Sequence, residues 1–274
     1  MSNRSKSVRI GLQLPQYGAD WPALLDAARE AEAVGADALF SWDHFFGPGD
    51  SESPSFECWT TLAGWAASTS HIALGPLVNC IGYRNPDLVA DMARTVDHIA
   101  GGRTILGLGS GFKRRDYDAY GYSFGSTASR VSDLEHGVSR IRRRMQLLNP
   151  PPLRPIPLLI AGSGERRTLR LVAEHADIWH TFADGEDFIR KARVLDDHCA
   201  RIGRDPAAIE RSVLVGGAPW AAGPELVELG ITFFIVLVRD LDLTPVRDWV
   251  GWRDHYNAQA VPPSDIDPPA QSEP

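Results

Sequence analysis

The sequence predicts an α/β fold, a (β/α)8 TIM barrel, from three observations. Strand-like and helix-like stretches alternate along nearly the whole of the 274 residues. The strand-like stretches are short and continuously apolar, as parallel strands covered on both faces are. They number eight, and right-handed crossovers between eight such units close into a barrel, with a doubly wound open sheet as the second solution.

In chain order, residues 8–14 form an apolar run ended by Pro15. Residues 21–34 form a helix with Leu24, Ala28 and Ala31 on one face and Gly35 as its stop. Residues 37–42 are the second strand, followed by a helix over 57–68 that is rich in Ala and Trp. Residues 72–79 are the third strand, and the helix over 88–99 ends on Gly101-Gly102, which tolerate the left-handed cap. Residues 104–108 make the fourth strand. The clearest helix covers 129–148, where Val131, Leu134, Val138, Ile141, Met145 and Leu148 recur every three or four residues. Arg140, Arg142, Arg143 and Arg144 fall mostly on its other face and read as a solvated surface. Strands at 156–161, 176–181, 212–215 and 231–238 alternate with helices at 166–175, 187–202 and 224–229, and 244–255 forms a last helix. One domain spans residues 1–257. Residues 258–274 hold five prolines and read as a disordered tail.

Composition narrows the function classes. Lys and Arg number 28 against 35 Asp and Glu, a net charge of −7, without the basic balance of a nucleic-acid binder. The longest apolar run, near 231–238, is too short to cross a bilayer, and residues 1–9 lack a secretory pattern. Cys58, Cys80 and Cys199 form neither a disulfide framework nor a metal-ligand pair, so no metal is expected and a reducing cytoplasm fits. An enzyme acting on a small molecule is the default expectation.

Barrel enzymes carry their chemistry at the C-terminal ends of the strands. The second strand ends in Trp42-Asp43-His44-Phe45-Phe46, where a histidine beside a carboxylate suits proton transfer near neutral pH, or else forms a locally satisfied turn. The fourth ends in Gly107-Leu108-Gly109-Ser110-Gly111, followed by Lys113-Arg114-Arg115. Its spacing matches neither the dinucleotide fingerprint nor the P-loop. These glycines let backbone approach a flat ligand, or form a tight turn beside a solvated basic loop. The fifth ends in Ala161-Gly162-Ser163-Gly164 ahead of a helix start, an arrangement that receives phosphate. The sixth ends in Trp179-His180-Thr181-Phe182.

In this order, Trp42-Asp43-His44, Leu74-Gly75, Tyr83-Arg84-Asn85-Pro86, the run 95–103 (TVDHIAGGR), the run 106–111 (LGLGSG) with Tyr120-Gly121, and the run 161–169 (AGSGERRTL) resemble the luciferase-like flavin and deazaflavin oxidoreductases. The likeness spans roughly residues 8–215 and is to the branch that uses coenzyme F420. It implies a (β/α)8 barrel holding an isoalloxazine-like ring in its mouth, backed by a bulge with a non-proline cis peptide at Leu77–Val78, beside Asn79. It further implies a phosphate cradle at Ala161, Gly162, Ser163 and Gly164, Gly109 and Arg115 at the cofactor, and Lys113 and Arg114 near its anionic oligoglutamate tail. Asp43-His44 resembles the deazaflavin users, whereas flavin monooxygenases often carry Glu-His-His. The implied reaction is hydride transfer at the deazaflavin C5, with His44 exchanging the substrate proton and Asp43 anchoring the ring.

Two departures bear on substrate. Phe112 stands where sugar-phosphate dehydrogenases of the family carry an acidic Glu, which argues against sugar-phosphate oxidation. The segment 216–222 is short where relatives often insert a substrate cover, so the mouth is expected to be open or closed by a partner subunit. Trp42, Trp59, Phe112 and Trp179 are expected to line it, or to be plain core. Three functions follow from the resemblance: an F420-dependent oxidoreductase of a small alcohol, carbonyl or enone; an FMN-dependent monooxygenase supplied by a partner reductase; and a non-catalytic F420 carrier. A homodimer is expected on the same ground.

Overall fold

The computed structural model describes residues 7–48, 53–182 and 185–260. Its strands are β1 (Arg9–Gln13), β2 (Ala38–Ser41), β3 (Ala73–Pro76), β4 (Asn79–Cys80), β5 (Leu106–Gly109), β6 (Leu158–Ala161), β7 (Ile178–Phe182), β8 (Glu210–Val215) and β9 (Phe233–Leu237). All pair in parallel, in the order β3-β2-β1-β9-β8-β7-β6-β5-β4. The expected third strand is present as two pieces, β3 and β4, interrupted at Leu77–Val78, whose peptide bond is cis. Closure comes from β3, where Leu74 N–H donates to the Arg103 carbonyl (3.0 Å) and Ile105 N–H donates to the Leu74 carbonyl (2.8 Å). The nine strands therefore occupy the eight positions of a (β/α)8 barrel.

The helices are α1 (Trp21–Ala33), α2 (Cys58–Ser68), α3 (Pro86–Ile99), α4 (Arg114–Ala119), α5 (Thr127–Met145), α6 (Thr168–His175), α7 (Gly185–Arg201), α8 (Pro219–Glu228) and α9 (Thr244–Ala260). Their starts are set by side-chain caps: Asp20, Glu57, Asn85 and Ser126 each accept a backbone N–H of the first turn of α1, α2, α3 and α5. Apart from helix ends that move by two or three residues, three expectations change. The short helix α4 was not foreseen, because six residues of Arg, Asp, Tyr and Ala carry too little periodicity. Helix α8 starts at Pro219, whose fixed φ suits a first turn, rather than at Pro224. Helix α9 runs to Ala260, so residues 258–260, assigned to the tail, are helical; residues 261–274 lie outside the described residues. Among the described residues no helix is long and apolar enough to cross a membrane.

Two apolar layers result. Inside the barrel, Ala38, Phe40, Leu77, Ile105, Leu159, Ile178, Phe233 and Ile235 fill the lower interior. Outside it, the opposite face of each strand meets the helices through Ile10, Leu12, Leu39, Trp65, Trp179, Phe234 and Trp249. The interrupted strand is admitted by glycine on its neighbour. A Cβ at Gly107 would fall on the Pro76 carbonyl oxygen, and one at Gly109 would stand 2.5 Å from Val78 Cγ2. Gly107→Ala is expected to destabilise the protein by roughly 1–3 kcal/mol, because the obstructing atom is backbone and cannot swing away. Urea unfolding reads this as a lower midpoint at unchanged slope.

Candidate functional site

The chain leaving β2 sets the site. Asp43 is buried, and its carboxylate accepts the Cys80 N–H (2.8 Å) and both Arg84 terminal nitrogens (2.7 and 2.8 Å). Arg84 also donates to Glu57 at the head of α2 (2.6 Å). Burial pushes the Asp43 carboxyl up, to about 6, against the pull of Arg84. This carboxylate is the fastener that joins β2, β4 and α2.

His44 finds its carboxylate elsewhere. Its Nδ1 lies 2.6 Å from Asp116 Oδ2 on α4, and the Tyr83 hydroxyl donates to the same oxygen (3.1 Å). Nδ1–H donating to Asp116 leaves the Nε2 lone pair free to take a proton. Burial pulls the imidazole below its ordinary value; Asp116 opposes this, and the Lys113 charge adds to it. His44 is thus neutral near pH 7. Trp42 and Phe112 stand edge-on to its ring, at 5.3 and 5.4 Å between centroids.

Around His44 opens a cavity of about 390 Å³ at the C-terminal end of the barrel. Its wall is built by Gln13, Trp42 to His44, Leu77, Val78, Cys80, Tyr83, Gly109 to Phe112, Ala161 to Ser163, His180 to Phe182, and Leu214. Gln13 Nε2 donates to the Leu77 carbonyl of the cis peptide (2.9 Å). At the cradle, Gly162 has φ +124°, and an added Cβ would stand 3.1 Å from Thr168 Cγ2. The Gly162 N–H donates to the His180 carbonyl (3.1 Å), and its own carbonyl accepts Trp179 Nε1 (2.9 Å). A phosphate here must be met by the amides from Ser163 onward. Helix α6 begins at Thr168, two residues later than expected. A mostly apolar slot of this volume, walled by glycine backbone and ending in this turn, fits a flat heterocycle carrying a phosphate.

Of the residues singled out from sequence, Trp42, Asp43, His44, Leu77, Val78, Gly109, Phe112, Ala161, Gly162 and Ser163 border the cavity. Trp59 and Trp179 do not line it. Trp179 occupies an outward position of β7 and stacks on Phe188 (5.5 Å), while Trp59 on α2 donates Nε1 to Asn79 Oδ1 (2.8 Å). Each indole braces the wall from behind. Asn79 is buried behind that wall, the Gly164 carbonyl accepts the Leu169 N–H, and Arg115 lies over the Phe46 ring (4.4 Å). Trp179→Phe removes the donor to Gly162 and is expected to cost about 1 kcal/mol in denaturant unfolding.

Gln13, Cys80, Leu214 and Asp116 were given no place in the site, and Tyr83, His180, Thr181 and Phe182 were noted within motifs without a role of their own. Period-two alternation in β1 and β7 marks Gln13 and His180 as inward-facing, so those two were findable. Asp116 lies 72 residues from His44 on an unforeseen helix and carried no signal. His180 lies in the wall, with Nδ1 3.0 Å from Ser212 Oγ, and burial pushes it down to about 4. An unfolded histidine takes its proton near 6.5, so between there and 4 the unfolded state binds more protons. The His180 contribution to stability is therefore full above pH 6.5 and falls by about 3 kcal/mol as pH drops toward 4. The difference in urea-unfolding free energy between the wild type and His180→Gln is expected to show this slope, because the opposing contribution of the raised Asp43 carboxyl is common to both.

The comparisons agree with this fold. A solved F420-dependent secondary alcohol dehydrogenase, in complex with an F420-acetone adduct, superposes with TM-score 0.79 at 16% identity, over 90% of this chain and 98% of that one. In sequence, an F420-dependent hydroxymycolic acid dehydrogenase of Mycobacterium tuberculosis is 29% identical over 226 residues, 75% of this chain. The chain spans 61% of that relative's length, and 27% of another mycobacterial relative matched over 105 residues. A pyrimidine monooxygenase of Caulobacter vibrioides is 28% identical over 271 residues, 90% of this chain and 70% of the relative. The luciferase-like monooxygenase family model matches residues 7–216, which hold β1 to β8 and every residue of the cavity wall, from Gln13 to Leu214. With barrel, interrupted third strand and glycine cradle in place, the chain belongs to the luciferase-like monooxygenase family.

Proposed function

We propose that this chain is an F420-dependent oxidoreductase that moves a hydride between the deazaflavin and a small organic alcohol, carbonyl or enone. The observation that carries the reading is a neutral histidine, held by the buried Asp116 carboxylate, on the wall of a slot shaped for a flat ring. The names of the two F420-dependent relatives support it. Leu77, Val78, Gly109, Ala161, Gly162 and Ser163 would hold the cofactor, with Asn79, Gly164 and Arg115 behind or beside them. When bound, the deazaflavin supplies a carbon that accepts or donates hydride.

The chain's own part is proton handling and exclusion of water. In alcohol oxidation, His44 Nε2 takes the hydroxyl proton while Asp116 stabilises the imidazolium that forms; in reduction the proton returns from Nε2. Trp42 stands edge-on to the imidazole and limits water at it, while Phe112, edge-on to the same ring, is itself mostly exposed. Asp43, spoken for by Arg84 and Cys80, would serve the ring by fixing the backbone around it and not with a free carboxylate. The protein is further expected to act as a homodimer in the reducing cytoplasm, where its three buried cysteines stay thiols.

The near-complete match to a pyrimidine monooxygenase favours a second reading, an FMN-dependent monooxygenase served by a partner reductase. Fluorescence titration of the purified protein with the deazaflavin and with FMN separates the two, together with oxygen uptake during turnover. Preference for the deazaflavin and turnover without oxygen uptake are expected. Preference for FMN with oxygen uptake would replace the reading, deazaflavin binding without any turnover would make the protein a carrier, and binding of neither would overturn all three.

A further inference from the structure

Strand β7 carries an imidazole that the proton chemistry above does not use. The inward positions of this strand are Ile178, His180 and Phe182. Ile178 belongs to the apolar barrel interior and Phe182 is 75% exposed at the rim, so His180 forms part of the cavity floor between them. Beside it in register are Ala161 on one strand and Ser212 on the other. An imidazole placed on an apolar interior costs stability unless its nitrogens are hydrogen-bonded. Nδ1 is satisfied by the fully buried Ser212 Oγ at 3.0 Å. Among the described residues no hydrogen bond reaches Nε2, and the ring borders the cavity. Such a floor is a poor site for plain packing and a good one for holding a polar edge of whatever fills the slot.

Its position separates it from His44. In the strand order, β7 lies four places from β2, across an eight-position barrel, so the two histidines stand on opposite walls with the slot between them. Burial without any compensating charge pushes His180 down to about 4, so it meets its ligand as a neutral group. The Ser212 hydroxyl can donate to Nδ1 or accept from it, which lets Nε2 present either an N–H or a lone pair.

We propose that His180, oriented by Ser212, is a binding residue for the redox heterocycle, with Nε2 hydrogen-bonded to the neutral amide edge of the ring. That edge of alternating carbonyl and N–H groups is common to flavins and deazaflavins, so the contact serves whichever of them the cavity takes. The assignment rests on the reading of this cavity as the heterocycle's site. It divides the work of the two walls: His44 handles the proton, and His180 sets the register of the ring.

The test is a set of fluorescence titrations of the purified protein and its variants with the deazaflavin and with FMN, each variant first checked for a native unfolding transition. His180→Phe keeps the ring volume and removes both nitrogens. Its dissociation constant for the heterocycle that the wild type binds is expected to rise about tenfold or more, because the amide edge loses its partner in a water-poor slot. Ser212→Ala should raise it by a smaller factor, and His180→Asn should recover part of the loss. An unchanged constant in folded His180→Phe overturns the proposal. If that variant does not fold, Ser212→Ala decides, a raised constant supporting the assignment and an unchanged one overturning it. Wild-type protein that binds neither heterocycle overturns the cavity reading and this inference together, whereas wild type and variants binding alike overturn this inference alone.

Discussion

His44→Ala is expected to lower kcat by about 100- to 10,000-fold, the range for loss of a positioned general acid–base. The dissociation constant of the bound heterocycle should stay within a few-fold, because the wall that would hold the ring is built by other strands. Stopped-flow bleaching of the cofactor, beside equilibrium titration, separates the two effects. The pH profile adds a sign. In alcohol oxidation the neutral imidazole is the active form, and burial lowers its pKa from the ordinary value. The rate is therefore lost as pH falls through a value below 6.5 and is flat above it. Asp116→Asn removes the charge that holds the imidazole up, so its acid limb moves to still lower pH. Its kcat also falls, by about 100-fold, because the imidazolium loses its stabilising partner. Full turnover in His44→Ala with cofactor bound would end the role assigned to this residue.

The largest expected effect on stability is at Arg84. Arg84→Met leaves the buried Asp43 carboxylate, among the described residues, with only the Cys80 N–H, and removes the Arg84 partner of Glu57 at the head of α2. Breaking one partner out of a buried ion pair costs about 3–5 kcal/mol, because the remaining charge stays desolvated or must take up a proton. For a chain of this size that corresponds to a fall in melting temperature of about 6–20 °C. Asp43→Asn in the same background removes the stranded charge and should recover part of the loss, a coupling that a double-mutant cycle measures directly. Equal losses from Arg84→Met in the presence and absence of the Asp43 charge would show that the pair is not the fastener.

Nearly all of the barrel was legible in the sequence, and the reason is local. Apolar runs of four to six residues and a three-to-four-residue helical repeat are fixed by neighbours along the chain. Strands β1, β2, β5, β6, β7, β8 and β9 accordingly lie within the expected stretches or a residue or two of their ends. The Trp42-Asp43-His44 segment and the Gly162 turn were legible for a related reason, since strand ends point to the mouth of any such barrel. The cis peptide was reached only through family resemblance, and it stands at Leu77–Val78.

What the sequence could not give is the choice of partner. Adjacency suggested that Asp43 serves His44, yet the closed barrel brings Asp116 to the imidazole and Arg84 to Asp43. Trp59 and Trp179 were equally eligible as lining or core, and strand alternation together with helix docking turned both outward. His180 was visible as a residue, but its pairing with Ser212 across β7 and β8 exists only once the sheet is in register. The sequence by itself determined the elements and the order in which their ends meet at one mouth, because periodicity is a short-range property of the chain. Only the tertiary structure decided which carboxylate charges which base and which aromatic ring meets the ligand. Those contacts join residues tens of positions apart, and their energies depend on burial that no local stretch of sequence contains.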